Sequence, residues 1–131
     1  MATNVSKGDY ITKRLQDKEN LVDLLSTALY GNFWAGAYTK DEYKELINPD
    51  SECIEENWAD VLLGGGKLTI TDCEEDEEFD IDLPKLAKAI RKIREVEPEI
   101  YARVIKFDGS ADMIDADCVI QYAVFGEWVY G

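Results

Sequence analysis

Residues 67–86, KLTITDCEEDEEFDIDLPKL, decide the fold, because they predict a β-hairpin with an acidic turn that leads directly into a helix. In the first arm Leu68 and Ile70 alternate with polar residues. In the second arm the apolar Phe79 alternates with polar residues in the same way. Each arm therefore has one apolar face that can pack on a core. Four consecutive acidic residues lie between the arms, at positions 74–77, and their hydration and mutual repulsion favour a chain reversal there.

The segments around this hairpin predict an α+β fold. Apolar residues recur at helical spacing in four places, residues 17–30, 51–63, 84–97 and 112–125. Alternating or aromatic patterns predict two further short strands, at residues 9–16 and 32–40. We therefore expect a small antiparallel sheet of three or four strands with the helices packed mainly on one face. Residues 1–131 fit a single acidic domain, with residues 1–8 disordered.

The last predicted helix has an apolar face and an acidic start. Its predicted buried face consists of Ile114, Cys118, Gln121, Tyr122 and Phe125. Asp112 is placed to cap the helix, and Asp108, Asp115 and Asp117 either favour the positive end of the helix dipole or extend an acidic surface. The closing residues, EWVYG, are apolar enough to dock on the fold.

Charge limits the possible partners. The chain has 131 residues and a formal net charge of −14, which disfavours direct binding to nucleic acid. The same charge favours a basic protein surface as partner, such as that of a host nucleic-acid-binding protein or nuclease. Residues 83–106 are an exception, because seven basic and three acidic residues give this segment a net +4.

Several function classes lack the residues they need. Histidine is absent, which removes the commonest general base and the commonest metal ligand. We expect a protein that is not an enzyme and has no cofactor, no metal and no membrane contact. We place it in the cytoplasm of a bacterial host, where its three cysteines, Cys53, Cys73 and Cys118, would be small buried thiols.

The candidate site is the acidic cluster of the hairpin. It comprises Asp72, Glu74, Glu75, Asp76, Glu77, Glu78, Asp80 and Asp82. Calcium loops of the EF-hand type need a central glycine, and the chain has none between Lys67 and Lys106. The cluster therefore indicates contact with a cationic partner. Three tryptophans, Trp34, Trp58 and Trp128, are candidates for an exposed aromatic anchor beside it.

Three segments carry a resemblance to a known group. They are NLVDLLSTALYGNFW (20–34), KLTITDCEEDEEFDIDL followed by PKLAKAI (67–90), and DADCVIQYAVFGEWVYG (115–131), whose last eleven residues are the most specific. In these segments the chain resembles small acidic proteins of phages and conjugative elements of gut Firmicutes. The resemblance implies no catalytic residues. It implies an accessory gene of a mobile element, a context in which inhibitors of host defence are common, including anti-CRISPR and anti-restriction proteins that mimic DNA charge.

The expected function is therefore inhibition of a nucleic-acid-binding host defence factor through an acidic, DNA-mimicking surface. The alternative is a structural or regulatory interaction module of a mobile element. Such a module could be a homodimer in which the basic helix at Lys85–Arg94 meets the acidic hairpin of a second copy.

Overall fold

The computed structural model describes residues 9–131, so the expected disorder of residues 1–8 lies outside the described residues. The strands are β1 (Ala35–Tyr38), β2 (Leu68–Asp72) and β3 (Glu77–Ile81). The α-helices are α1 (Tyr10–Leu15), α2 (Lys18–Leu29), α3 (Ile54–Leu63), α4 (Leu83–Val96), α5 (Pro98–Val104) and α6 (Met113–Phe125), and a 3-10 helix spans Asp41–Leu46.

The three strands form one antiparallel sheet in the order β1-β2-β3, with the hairpin supplying β2 and β3. Across the sheet, Ala37 pairs with Ile70 and Ile70 pairs with Phe79, so these side chains share a face. Leu68, Ile70 and Ile81 are buried in the hydrophobic core. The expected α+β class and antiparallel sheet are confirmed.

The core joins this sheet face to the helices. Helix α6 packs against α2, α4 and β3, and α3 packs against α2 and β2. Trp34, at the start of β1, is fully buried between these layers. No helix in residues 9–131 combines the length and apolar character that crossing a membrane requires.

The strand predicted at residues 9–16 is wrong, because this segment is helix α1. Asp9 caps the helix by accepting a 2.7 Å hydrogen bond from the Thr12 backbone N–H. Ile11 and Leu15 are buried. They are four residues apart, a spacing that puts two side chains on one face of a helix as well as of a strand.

Two further expectations are wrong. Cys53 and Cys73 are exposed, because they lie at the cap of α3 and in the hairpin turn, outside the packed elements, and only Cys118 is buried. Ile114 was expected on the buried face of α6 but is exposed. Ile114 lies in the first turn of α6, on the same side as the buried Cys118 and Gln121, but beyond the core that covers those two residues.

Candidate functional site

The tip of the hairpin, residues 74–77 and called the acidic turn below, ends in Glu77, the first residue of β3. It is held by a buried carboxylate. Asp72 is only 1% exposed and accepts hydrogen bonds from the backbone N–H groups of Glu74, at 3.0 Å, and Glu75, at 3.3 Å. Asp76 adopts a positive φ of 57°, a conformation that aspartate tolerates better than most residues. The acidic turn is thus preformed, with its four side chains exposed.

Glu78 extends the acidic turn along β3 and is also exposed. Its carboxylate accepts a hydrogen bond from the Tyr38 hydroxyl at 3.0 Å, and this bond raises the pKa of Tyr38. The ion pairs found among residues 9–131 do not include any of the five acidic residues 74–78. A run of five exposed carboxylates therefore projects from this end of the sheet.

The other three predicted site residues have structural contacts. Asp72 holds the turn from inside. Asp80 accepts hydrogen bonds from the Thr69 hydroxyl at 2.8 Å and from Lys40 Nζ at 3.3 Å, and both bonds lower its pKa. Asp82 caps α4 by accepting from the Lys85 N–H at 3.0 Å. The structure thus divides the predicted cluster into an exposed part, residues 74–78, and a part that builds the hairpin.

The closing residues EWVYG, called the closing segment below, dock on the fold through Gln121, which is fully buried on α6. Its Oε1 accepts from the N–H groups of Val129, at 2.8 Å, and Tyr130, at 2.9 Å, and its Nε2 donates to the Tyr130 carbonyl at 2.8 Å. The Tyr130 hydroxyl donates to Asp72 at 2.9 Å. Burial and this bond raise the pKa of Tyr130 to about 12. The closing segment is therefore attached to the acidic turn as well as to α6.

Asp117 is the second centre of this network. It accepts hydrogen bonds from the Trp34 indole N–H and the Asn32 amide, both at 2.8 Å, and from Gln121 at 2.7 Å. Asp115 is buried and binds Arg103 through two hydrogen bonds of 2.7 and 2.9 Å. These two aspartates thus have internal partners and do not extend the acidic surface.

Asp112 caps α6, as predicted, and it also forms a capping box with Asp115. Asp108 remains at the surface, in the loop before the helix.

An apolar groove of about 510 Å³ lies beside this network. Its lining includes Phe33, Met113, Ile114, Trp128 and Tyr130. The other two proposed tryptophan anchors are wrong, since Trp34 and Trp58 are buried in the core. Sequence reasoning missed Ile114, because helical periodicity placed it on the buried face. Phe33 carries no such signal in the sequence, because an aromatic residue beside a strand usually packs in the core.

The basic segment predicted in residues 83–106 forms α4 and α5. Lys85, Lys88 and Lys92 are exposed on α4, whereas Arg91 forms an ion pair with Asp9 at 2.8 Å. The basic surface and the acidic turn thus lie on different elements of the same molecule.

Comparison of the chain with protein-family models, with curated proteins and with solved structures finds no match. Among residues 9–131, no three histidine, cysteine, aspartate or glutamate side chains are grouped so that they could hold a metal ion.

Proposed function

We propose that this protein is a non-enzymatic accessory protein of a mobile element that binds a nucleic-acid-binding host defence factor and blocks its nucleic-acid groove. The factor would belong to a CRISPR or restriction system. The observation that carries the proposal is the run of five exposed carboxylates at residues 74–78, which has no lysine or arginine partner in the described part of the chain.

The local concentration of these carboxylates supports the proposal. Five consecutive acidic side chains are exposed at one end of the sheet. Such a concentration of negative charge attracts a lysine- and arginine-rich groove that binds nucleic acid. The turn is also preformed by Asp72, so little conformational entropy is lost when a partner binds it.

Neutralisation of the acidic turn tests the proposal. The variant Glu74→Gln, Glu75→Gln, Asp76→Asn, Glu77→Gln changes the net charge from −14 to −10 and keeps the backbone bonds to Asp72. Pull-downs from a host-like lysate at about 50 and about 200 mM NaCl compare it with the wild type. We expect the wild type to capture a nuclease or guide-RNA effector that elutes as salt rises, and the variant to lose it.

A charge-matched control separates position from net charge. Asp41, Glu42, Glu45 and Asp50 are exposed in and after the 3-10 helix, and their conversion to amides also gives −10. We expect this control to retain most of the binding. Equal losses in both variants would indicate that net charge, not the acidic turn, determines capture. Unchanged capture by the acidic-turn variant would refute the proposal.

A homodimer is the second candidate, because Lys85, Lys88 and Lys92 offer an exposed cationic face on α4 to the acidic turn of a second copy. Light scattering at low and high salt tests it. A charge-paired dimer would dissociate as salt rises, whereas a constant monomer mass would exclude it.

A further inference from the structure

We propose that the apolar groove is the anchor site for a basic amphipathic segment of the same partner, whose leucine-like side chains enter the groove while its lysines and arginines face the acidic turn. The charged half of this inference rests on the proposed function, and the apolar half rests on the groove itself.

The groove has an unusual exposure of large apolar side chains. Phe33 is 64%, Met113 53% and Ile114 65% exposed, and all three line one cavity. Single exposed apolar residues are common on protein surfaces, but three that line one cavity offer an apolar surface that a partner can cover. The volume of about 510 Å³ is large enough for several apolar side chains of a partner.

The groove is preformed. Tyr130 stacks on the buried Trp34 at a ring-centroid distance of 5.2 Å and meets the edge of Phe33 at 6.0 Å. Asp117, at the groove, is held by the Asn32 amide and the Trp34 indole. The Tyr130 wall of the groove is therefore in place before a partner binds, which lowers the entropic cost of binding.

Charge identifies the occupant. Tyr130 lines the groove, and its hydroxyl donates to the Asp72 carboxylate that also holds the backbone of Glu74 and Glu75. The groove and the acidic turn are thus adjacent and share one support. The groove lining contains no lysine or arginine that would repel a cationic segment, so a segment that combines apolar and cationic side chains fits both surfaces.

Two fluorescein-labelled probes separate the apolar contribution from the cationic one. The first is a short helical peptide of leucine and lysine with its leucines on one face, and the second is an oligolysine with the same number of lysines. Burial of one leucine side chain in the groove should give the wild type about a tenfold preference for the first probe, measured by fluorescence anisotropy.

Groove variants then locate this preference. Ile114→Ser and Phe33→Ser should remove it and leave oligolysine binding unchanged. The matched control is Ile54→Ser on α3, since Ile54 is 52% exposed and does not line the groove; it should keep the preference. Both substituted groove residues are exposed, so the variants should fold, as far-UV circular dichroism will check.

The outcomes distinguish the inference from the proposed function. A preference that survives both Ile114→Ser and Phe33→Ser overturns the groove inference. Unchanged oligolysine binding after neutralisation of residues 74–77 overturns the proposed role of the acidic turn, whatever the groove variants do. A wild-type dimer that Ile114→Ser converts to monomer would assign the groove to a second copy and would also overturn the inference.

Discussion

Replacement of Gln121 by leucine should destabilise the protein strongly, because this one side chain attaches the closing segment. Leucine has a similar volume but removes the bonds from Gln121 to Asp117, to the Val129 N–H and to both backbone groups of Tyr130. Three backbone groups of the closing segment then lose their partners. A buried polar group without a partner costs about 1–3 kcal/mol.

The closing segment can avoid this cost by detaching into water. The free-energy cost of detachment is therefore the upper limit on the stability that Gln121→Leu can lose. Detachment gives up the Tyr130 bond to Asp72, worth about 1.5–3 kcal/mol because the acceptor is charged. It also gives up the stacking of Tyr130 on Trp34, worth about 1 kcal/mol. Detachment is the less costly route, so Gln121→Leu should lower the free energy of unfolding by about 2.5–4 kcal/mol, which corresponds to a fall in Tm of roughly 10 °C or more.

Urea unfolding followed by tryptophan fluorescence measures this loss, since Trp34 lies beside Tyr130. Chymotrypsin should also cleave the variant faster in residues 126–131. Gln16→Leu is the control, because Gln16 is exposed, and its stability should change by less than about 0.5 kcal/mol. A loss below about 1 kcal/mol in Gln121→Leu would refute the assigned role of Gln121.

Three further substitutions test other contacts. Burial and the bond to Asp72 raise the pKa of Tyr130 from 10.0 to about 12. The contribution of the protonated hydroxyl to stability is therefore complete below pH 10 and is lost as pH rises to about 12. Between pH 9 and 11, Tyr130→Phe should thus lose less stability than the wild type, as measured by urea unfolding. The bond from Arg103 lowers the pKa of Asp115 below 3.8, so its contribution is lost as pH falls through that lowered value. Asp115→Asn should be less stable at pH 7 by about 2 kcal/mol and show a shallower acid loss, by calorimetry. Gly126 ends α6 at a φ of 78°, and Gly126→Ala should lower stability by about 1 kcal/mol in thermal unfolding.

The hairpin could be predicted because its information is local. Leu68, Ile70 and Phe79 alternate with polar residues, and the acidic run between the arms favours a turn in any context. Helix α1 could not be distinguished from a strand in the same way. Its two buried residues, Ile11 and Leu15, fit both periodicities, and the Asp9 cap that distinguishes the helix is seen only in the structure.

The candidate site could be predicted only in part, because it depends on contacts between distant parts of the chain. The exposed carboxylates at 74–78 follow from sequence, but the burial of Asp72 depends on Tyr130, 58 residues later. The groove brings Ile114 of α6 together with Phe33, which comes from a distant part of the chain.

Competition between this protein and duplex DNA for the captured partner tests the role of the acidic turn most directly. The partner is immobilised through the wild-type protein, and a DNA duplex is added at low salt. If residues 74–77 occupy the nucleic-acid groove, the duplex should release the partner, and the variant neutralised at these positions should fail to block DNA binding. A stable complex of protein, partner and DNA together would contradict the DNA-mimicking role.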